Sequence, residues 1–242
     1  MNRVKAAFFS FTPPAPPGDD GSYLRWHLLD HMPEQYQLPG MQLGLRYLAD
    51  ADCTAARIAA SGDLEGVGNL VNYLVGDPVQ ETHDDFMALG RRLTEMGRFP
   101  EHRPSLQLRM PALRRRYAAP QALISAEVVP WRPHRGVLVV VEQPGDEDLD
   151  TWEQWLDTEH HPAVLATPGV AGVWVYGSSD TWTLHPATQG DPQHTTVIYL
   201  DEDPVRTSGV LRPVIEDRWR SGAVRPTFAG PLRSMIEWEA WR

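Results

Sequence analysis

Only one cysteine, Cys53, occurs in 242 residues. No intrachain disulfide and no thiolate metal cluster can form, so the chain must be held by its own packing. Basic residues are scarce as well, with 22 Lys and Arg against 32 Asp and Glu and a formal charge of −10. A nucleic-acid binder needs a basic face, and so does a protein that docks on anionic lipid; neither partner is expected here. Long apolar runs are missing too. After Arg3 and Lys5 the apolar stretch is only Ala6 to Phe11 before a proline-rich segment, too short for a signal peptide or a membrane span. The expectation is a soluble, cytoplasmic protein. There is no Walker loop, no G-x-G-x-x-G and no G-x-S-x-G, so nucleotide-binding and serine-hydrolase readings have no motif behind them.

What the chain does contain is one stretch written twice. Y-L-R-W-H-L-L-D-H-M-P-E-Q-Y-Q-L-P-G runs from Tyr23 to Gly40, and W-E-Q-W-L-D-T-E-H-H-P-A-V-L-A-T-P-G from Trp152 to Gly169. Without a gap, Trp26 falls on Trp155, Asp30 on Glu159, His31 on His160, Pro33 on Pro162 and Pro39-Gly40 on Pro168-Gly169; the register holds through Tyr47 and Tyr176. A second echo is Y-L-V-G-D-P at Tyr73 to Pro78 against Y-L-D-E-D-P at Tyr199 to Pro204.

Around these marks the pattern of apolar residues reads as strand, helix, strand, strand, helix, strand. Val4 to Phe11 is β-prone and stops at a proline run. The helix carrying Tyr23, Trp26 and His31 follows, with a kink expected after His31 because Pro33 lacks a backbone donor. Gln42 to Ala49 reads as a strand, Thr54 to Ala60 as a short helical piece, and Gly68 to Val75 as a strand. Thr82 to Met96 is helical, with Phe86, Leu89, Leu93 and Met96 on one stripe, and Ser105 to Leu113 closes the unit. Arg114 to His134 reads as a connector, with an extra strand allowed over Ala122 to Val129 and a solvated basic run at Arg114 to Arg116. The plan then repeats. Val137 to Glu142, Val170 to Tyr176 and His194 to Leu200 read as strands, Val224 to Trp241 as the last strand and a tail, Leu149 to Leu165 and Val205 to Arg220 as helices, and Ser178 to Gln193 as a polar loop.

The fold expected is therefore α+β: two tandem ferredoxin-like β-α-β-β-α-β units packed sheet to sheet as an intramolecular, pseudo-dimeric α/β barrel. The first unit spans residues 1–117, a connector 118–134, and the second unit 135–242.

The run W-L-D-T-E-H-H-P-A-V-L-A-T-P-G-V from Trp155 to Val170, followed by Tyr176, resembles the EthD-like family of the dimeric α/β-barrel superfamily. Members of that family carry W-Y-x-x-E-H-x-P, then P-G, then R-Y on the next strand. The first half has the weaker copy, D-H-M-P at Asp30 to Pro33, with P-G at Pro39-Gly40 and R-Y at Arg46-Tyr47; Val175 stands where the second half would need the arginine. The resemblance covers both halves, roughly residues 4–113 and 136–241. It implies a histidine facing a pocket between helix and sheet. It fixes no reaction, because relatives include dehydratases, decarboxylases, cyclases, cofactor-free monooxygenases and haem-handling proteins.

His31 and His160 are the catalytic candidates, since an imidazole titrates near neutral pH and can give or take a proton; Asp30 or Glu159 beside them would raise that pKa. A histidine bonded near the proline is the structural alternative. Tyr47, Tyr73, Tyr176 and Tyr199 sit at repeated strand positions where phenols can hold a substrate oxygen or simply pack. Arg46 suits a carboxylate, and Tyr23, Trp26, Trp152 and Trp155 suit a pocket wall. His27 and His31 have the spacing of a metal pair, but Leu156 replaces the first in the second copy and no third ligand is evident. The function expected is a cofactor-independent acid–base enzyme of lyase or isomerase type, acting on a hydrophobic aromatic or polyketide-like molecule. A non-catalytic ligand-binding protein and a haem-dependent enzyme are the alternatives. A homodimer of pseudo-dimers remains open.

Overall fold

The first strand, β1 (Val4–Thr12), is buried along nearly its whole length because each of its faces meets a different core. Phe9 and Phe11 enter one core and Phe8 the other. The computed structural model describes residues 3–14, 20–99, 105–146, 148–182 and 192–235. After β1 come α1 (Asp20–Trp26), a π-helical turn (His27–His31), α2 (Met32–Gln35), β2 (Met41–Leu48), α3 (Ala51–Ala55), β3 (Ala59–Ala60), β4 (Asn69–Gly76), α4 (Val79–Glu95) and β5 (Gln107–Ala118). The rest comprises β6 (Gly136–Pro144), α5 (Leu149–Trp155), a second π-helical turn (Leu156–His160), α6 (His161–Leu165), β7 (Val170–Trp182), β8 (His194–Leu200), α7 (Pro204–Asp217) and β9 (Val224–Ser234).

All strand pairings are antiparallel, in the order β2-β4-β1-β5-β7-β8-β6-β9-β3, and a further pairing of β2 with β9 closes the ring. The class is α+β, the dimeric α/β-barrel type of fold. The nine strands form one continuous sheet. The strands join edge to edge, β5 to β7 from Met110 to Ala118 and β2 to β9 at Tyr47 and Leu48, which leaves β2 and β5 without an open edge. Inside lie Phe9, Phe11, Tyr47, Trp174, Tyr176, Tyr199 and Phe228 with a lining of valines. Helices cover the outer faces over two further cores, one around Leu138, Ile198 and Leu211, the other around Phe8, Val71 and Tyr73. No helix among the described residues is long and apolar enough to cross a membrane.

Several local expectations change. The basic run Arg114 to Arg116 belongs to β5, and its side chains are paired: Arg115 with Glu153 and Asp157, Arg116 with Glu127. Ala122 to Val129 forms no strand; 3-10 turns occupy Pro120–Ala122 and Ala126–Trp131. The helical piece after β2 starts earlier, at Ala51, because the Asp50 carboxylate accepts from the Cys53 backbone N–H and caps it. Met96 lies just beyond α4 and is 66% exposed, so the buried stripe ends at Leu93. β7 continues to Trp182 through part of the expected polar loop, of which 183–191 lies outside the described residues, as does 236–241 of the expected last strand and tail.

The largest correction concerns strand register. Tyr47 pairs with Leu70, and Tyr176, its counterpart, pairs with Thr195. Continuing along β4 and β8, Tyr73 corresponds to Ile198, and Tyr199 corresponds to Leu74. The repeated Tyr-Leu pair is thus offset by one residue, which sends the two tyrosines to opposite faces of the sheet.

Candidate functional site

Both copies of the repeated histidine sit at the end of a π-helical turn. The Met32 N–H donates to the His27 carbonyl and the His161 N–H to the Leu156 carbonyl, five residues back. Pro33 and Pro162 follow at once, each lacking the N–H that an α-helix would demand. The wider turn carries the chain into the proline, so a π turn stands where a kink was expected. Such turns recur at functional sites.

In the first copy the His31 ring stacks on Trp26 at 4.9 Å and 16° between planes, and meets the edge of Phe99 at 5.2 Å. The Gln35 side-chain amide lies 3.3 Å from His31 Nε2, and the Tyr73 hydroxyl 3.2 Å from His27 Nε2. Trp26 is fixed by its indole N–H donating to the Arg98 carbonyl at 2.7 Å. Asp30 does not serve His31; with Glu34 it grips the Arg98 guanidinium, at 2.9 and 2.7 Å. Between this helix, α4 and the sheet is a cavity of about 490 Å³ that His31, Gln35, Tyr73 and Ser10 line among Phe8, Val71, Phe86, Met87, Phe99 and Leu108. Pockets of roughly 300–1,000 Å³ with apolar walls and few polar groups suit small organic molecules.

The second copy is built differently. His160 Nε2 lies 3.0 Å from Arg218 Nη1, and Arg218 is held in a fork by Glu142 at 2.8 and 2.6 Å. Both ionic side chains are wholly buried. Thr196 accepts from Arg218, and the Trp219 indole N–H donates to Glu142 at 2.7 Å. Burial, and then the neighbouring Arg218 and His161, push the His160 pKa far below the usual imidazole value. It stays neutral and accepts from the guanidinium. His161 is pushed down to about 3, by burial first and then by Arg218 and Arg115. Glu159 is exposed and takes no part. A second cavity, of about 450 Å³, opens on Trp152, Trp155, Arg218, Arg220 and Asp148, and His160 is not among its lining residues. Strand pairing explains the divergence: Thr12 faces Asn69 where Glu142 faces His194, so the acid replaces a threonine.

The other candidates disperse. Tyr47, Tyr176 and Tyr199 are sealed inside the barrel, away from either cavity, and burial pushes each phenol pKa up. Arg46 donates to Asn69 Oδ1 at 3.1 Å with its guanidinium 4.7 Å over the Tyr23 ring; neither lines the cavity. Gln35, Met87 and Phe99 are not marked by the sequence, and Phe86 only as part of the α4 stripe; the one signal for Gln35 is its place four residues, one helical turn, past His31.

The buried His134 accounts for an expected acid lability. It lies 2.8 Å from the Tyr47 hydroxyl, and burial pushes its pKa down to about 4. The unfolded chain takes up that proton near 6.5. Stability is therefore complete above pH 6.5, erodes as pH falls, and this contribution is gone once pH has passed about 4. Urea midpoints between pH 7 and pH 4 should fall less steeply in His134→Gln; an identical slope would sink the assignment.

Haem, which the family resemblance allows, needs a histidine nitrogen aimed at open space. Nε2 of His160 faces Arg218, so that site does not fit an axial ligand as the chain stands; His31 lines its cavity with Nε2 3.3 Å from the Gln35 amide. Among the described residues, no group of three or more His, Cys, Asp and Glu side chains could hold a metal ion.

No protein-family model and no curated protein matches the sequence. Solved structures do match its fold. An anthrone oxidase-like protein aligns with a TM-score of 0.57 at 10% identity, covering 98% of this chain and 93% of that one. A mutant chlorite dismutase from Candidatus Nitrospira defluvii gives 0.56 at 14%, covering 99% and 94%. A dye-decolorizing peroxidase from Bacteroides thetaiotaomicron gives 0.53 at 9%, covering 97% and 94%. These are proteins of the dimeric α/β-barrel superfamily, and at such identities the likeness is one of fold.

Proposed function

We propose that the chain binds an apolar aromatic or polyketide-like molecule in the cavity beside His31 and acts on it by general acid–base catalysis without a cofactor, as a lyase or isomerase. It is a fused pair of EthD-like units, residues 1–117 and 135–242, of which only the first keeps a working site. One observation carries this reading: His31 lines an apolar cavity, whereas His160 is tied to a buried guanidinium. The stacked Trp26 and the edge-on Phe99 leave the His31 imidazole at the edge of a largely apolar space, which suits a proton transfer. An anthrone oxidase-like protein among the structural neighbours supports the aromatic ligand class, as do the phenylalanines of the wall.

Gly90 provides the test. It lies on α4 at the cavity, and a Cβ built there meets nothing within 4 Å. Gly90→Phe starts its side chain in open space at the cavity and removes a helix-interior glycine, which itself costs about 1 kcal/mol. Titrated with alizarin, a three-ring hydroxyquinone dye, the wild-type chain should saturate at one site, and Gly90→Phe should lose that binding while keeping or raising its melting temperature. Unchanged binding in the variant would place the ligand elsewhere. A Soret shift on adding haemin would overturn the cofactor-free reading.

A further inference from the structure

We infer that Tyr73 is the second reacting group of the His31 cavity, its hydroxyl donating to a substrate oxygen, and that His27 is the positioning residue that holds this hydroxyl. The inference rests on the cavity proposed above and adds the substrate's chemistry: a carbonyl or phenolic oxygen conjugated to the carbon that loses its proton.

Three contacts fix the Tyr73 ring. Its hydroxyl is 3.2 Å from His27 Nε2. Its ring meets Phe86 in a T-shaped arrangement, with centroids 6.1 Å apart at 63°. On the paired strand stands Gly44, where an added Cβ would lie 3.0 Å from two Tyr73 ring carbons and from the Tyr36 hydroxyl oxygen, so the ring would have to give way to any side chain there. Tyr73 lines the cavity, while His27 is wholly buried and does not. His27 therefore acts through Tyr73.

The second half supplies an independent observation. Leu156 stands at the position of His27, and the strand pair Gly44–Tyr73 becomes Val173–Ile198. The histidine, the tyrosine and the glycine that makes room for it are all replaced in the half where a buried ion pair occupies the histidine. Packing needs do not explain that, since the first half buries polar atoms to keep the pair. A shared function in one cavity does.

The step balances without an oxidant. The His31 imidazole takes a proton from carbon, the C–H electron pair moves onto the conjugated oxygen, and the Tyr73 O–H donates to that oxygen as its charge grows. The proton then returns from His31 to another carbon, or to a leaving hydroxyl in a dehydration.

Bound alizarin reads this directly, because its colour reports whether its phenol is ionised. A donor aimed at the oxygen stabilises the anion, so the bound dye should ionise about tenfold less readily, one pKa unit higher, in Tyr73→Phe than in the wild type. His27→Leu, the residue found in the second half, should show the same shift, and the double variant no more. A purely structural role would move affinity or melting temperature and leave the dye's ionisation alone; that result would overturn the inference. If the dye binds, is displaced by Gly90→Phe and ionises identically in Tyr73→Phe, only the Tyr73 assignment fails. If it does not bind the wild type, the cavity reading fails and takes this one with it.

Discussion

Glu142→Ala should cost roughly 3–5 kcal/mol of stability, the price of leaving one member of a buried ion pair alone. Arg218 is wholly buried, and its remaining neighbours cannot replace the lost charge. Thr196 offers one hydroxyl, and His160 one neutral nitrogen. The Trp219 indole N–H loses its acceptor in the same stroke. Urea unfolding would show the loss as a fall in the midpoint at constant slope. The double variant Glu142→Leu with Arg218→Met should recover most of it, because apolar replacements of both partners often match or exceed a buried pair. A single Glu142→Ala costing under about 1 kcal/mol would mean that water reaches the guanidinium.

The same network shows where the sequence is easy to read and where it is not. Element types were legible because Val4 to Phe11, Val137 to Glu142 and the helix stripes have clear periods, and because the repeated Trp, His and Pro-Gly fix the phase of each helix. The Pro-Gly pair marks a true turn: Gly169 has φ +88°, a conformation that side chains disfavour. Register was harder. Asp-Pro recurs at the same distance after both Tyr-Leu pairs, but one extra residue lies before Tyr199 on its strand, and with a period of two that single residue moves Tyr199 into the barrel. The π turns were not legible, since they differ from an α-helix only in which carbonyl each N–H finds. Glu142 was visible as a charge ending an apolar strand, V-L-V-V-V-E, yet its partner lies 76 positions away at the end of α7. Pairings over such distances leave no local mark. The difference between His27 and Leu156 is plain in the letters; that it tracks a histidine lining a cavity on one side and a histidine tied to a buried guanidinium on the other required the packing.

That difference sets the last expectation. On a compound that saturates the cavity and is turned over, His31→Ala should lower kcat by about 10²–10⁴, the usual contribution of a positioned acid–base group. His160→Leu should leave kcat within a few-fold and lower stability instead, by about 1–3 kcal/mol, since an Arg218 N–H then points at carbon. The asymmetry follows from what each imidazole can do with a proton. His160 is held neutral by burial and by a cation 3.0 Å away, so accepting a second proton would set two charges against each other. Around His31 the described contacts are an aromatic face, an aromatic edge, the His27 ring and an amide. The amide is adaptable, because rotating it presents either a donor or an acceptor to Nε2, and so it can follow the ring through both protonation states. Gln35→Leu should therefore reduce the rate by less than His31→Ala and move the pH optimum, and initial rates across pH 5–9 would measure both. If His160→Leu rather than His31→Ala abolished turnover, the working site would lie in the second half, and the buried ion pair would have to open during each cycle to admit a substrate.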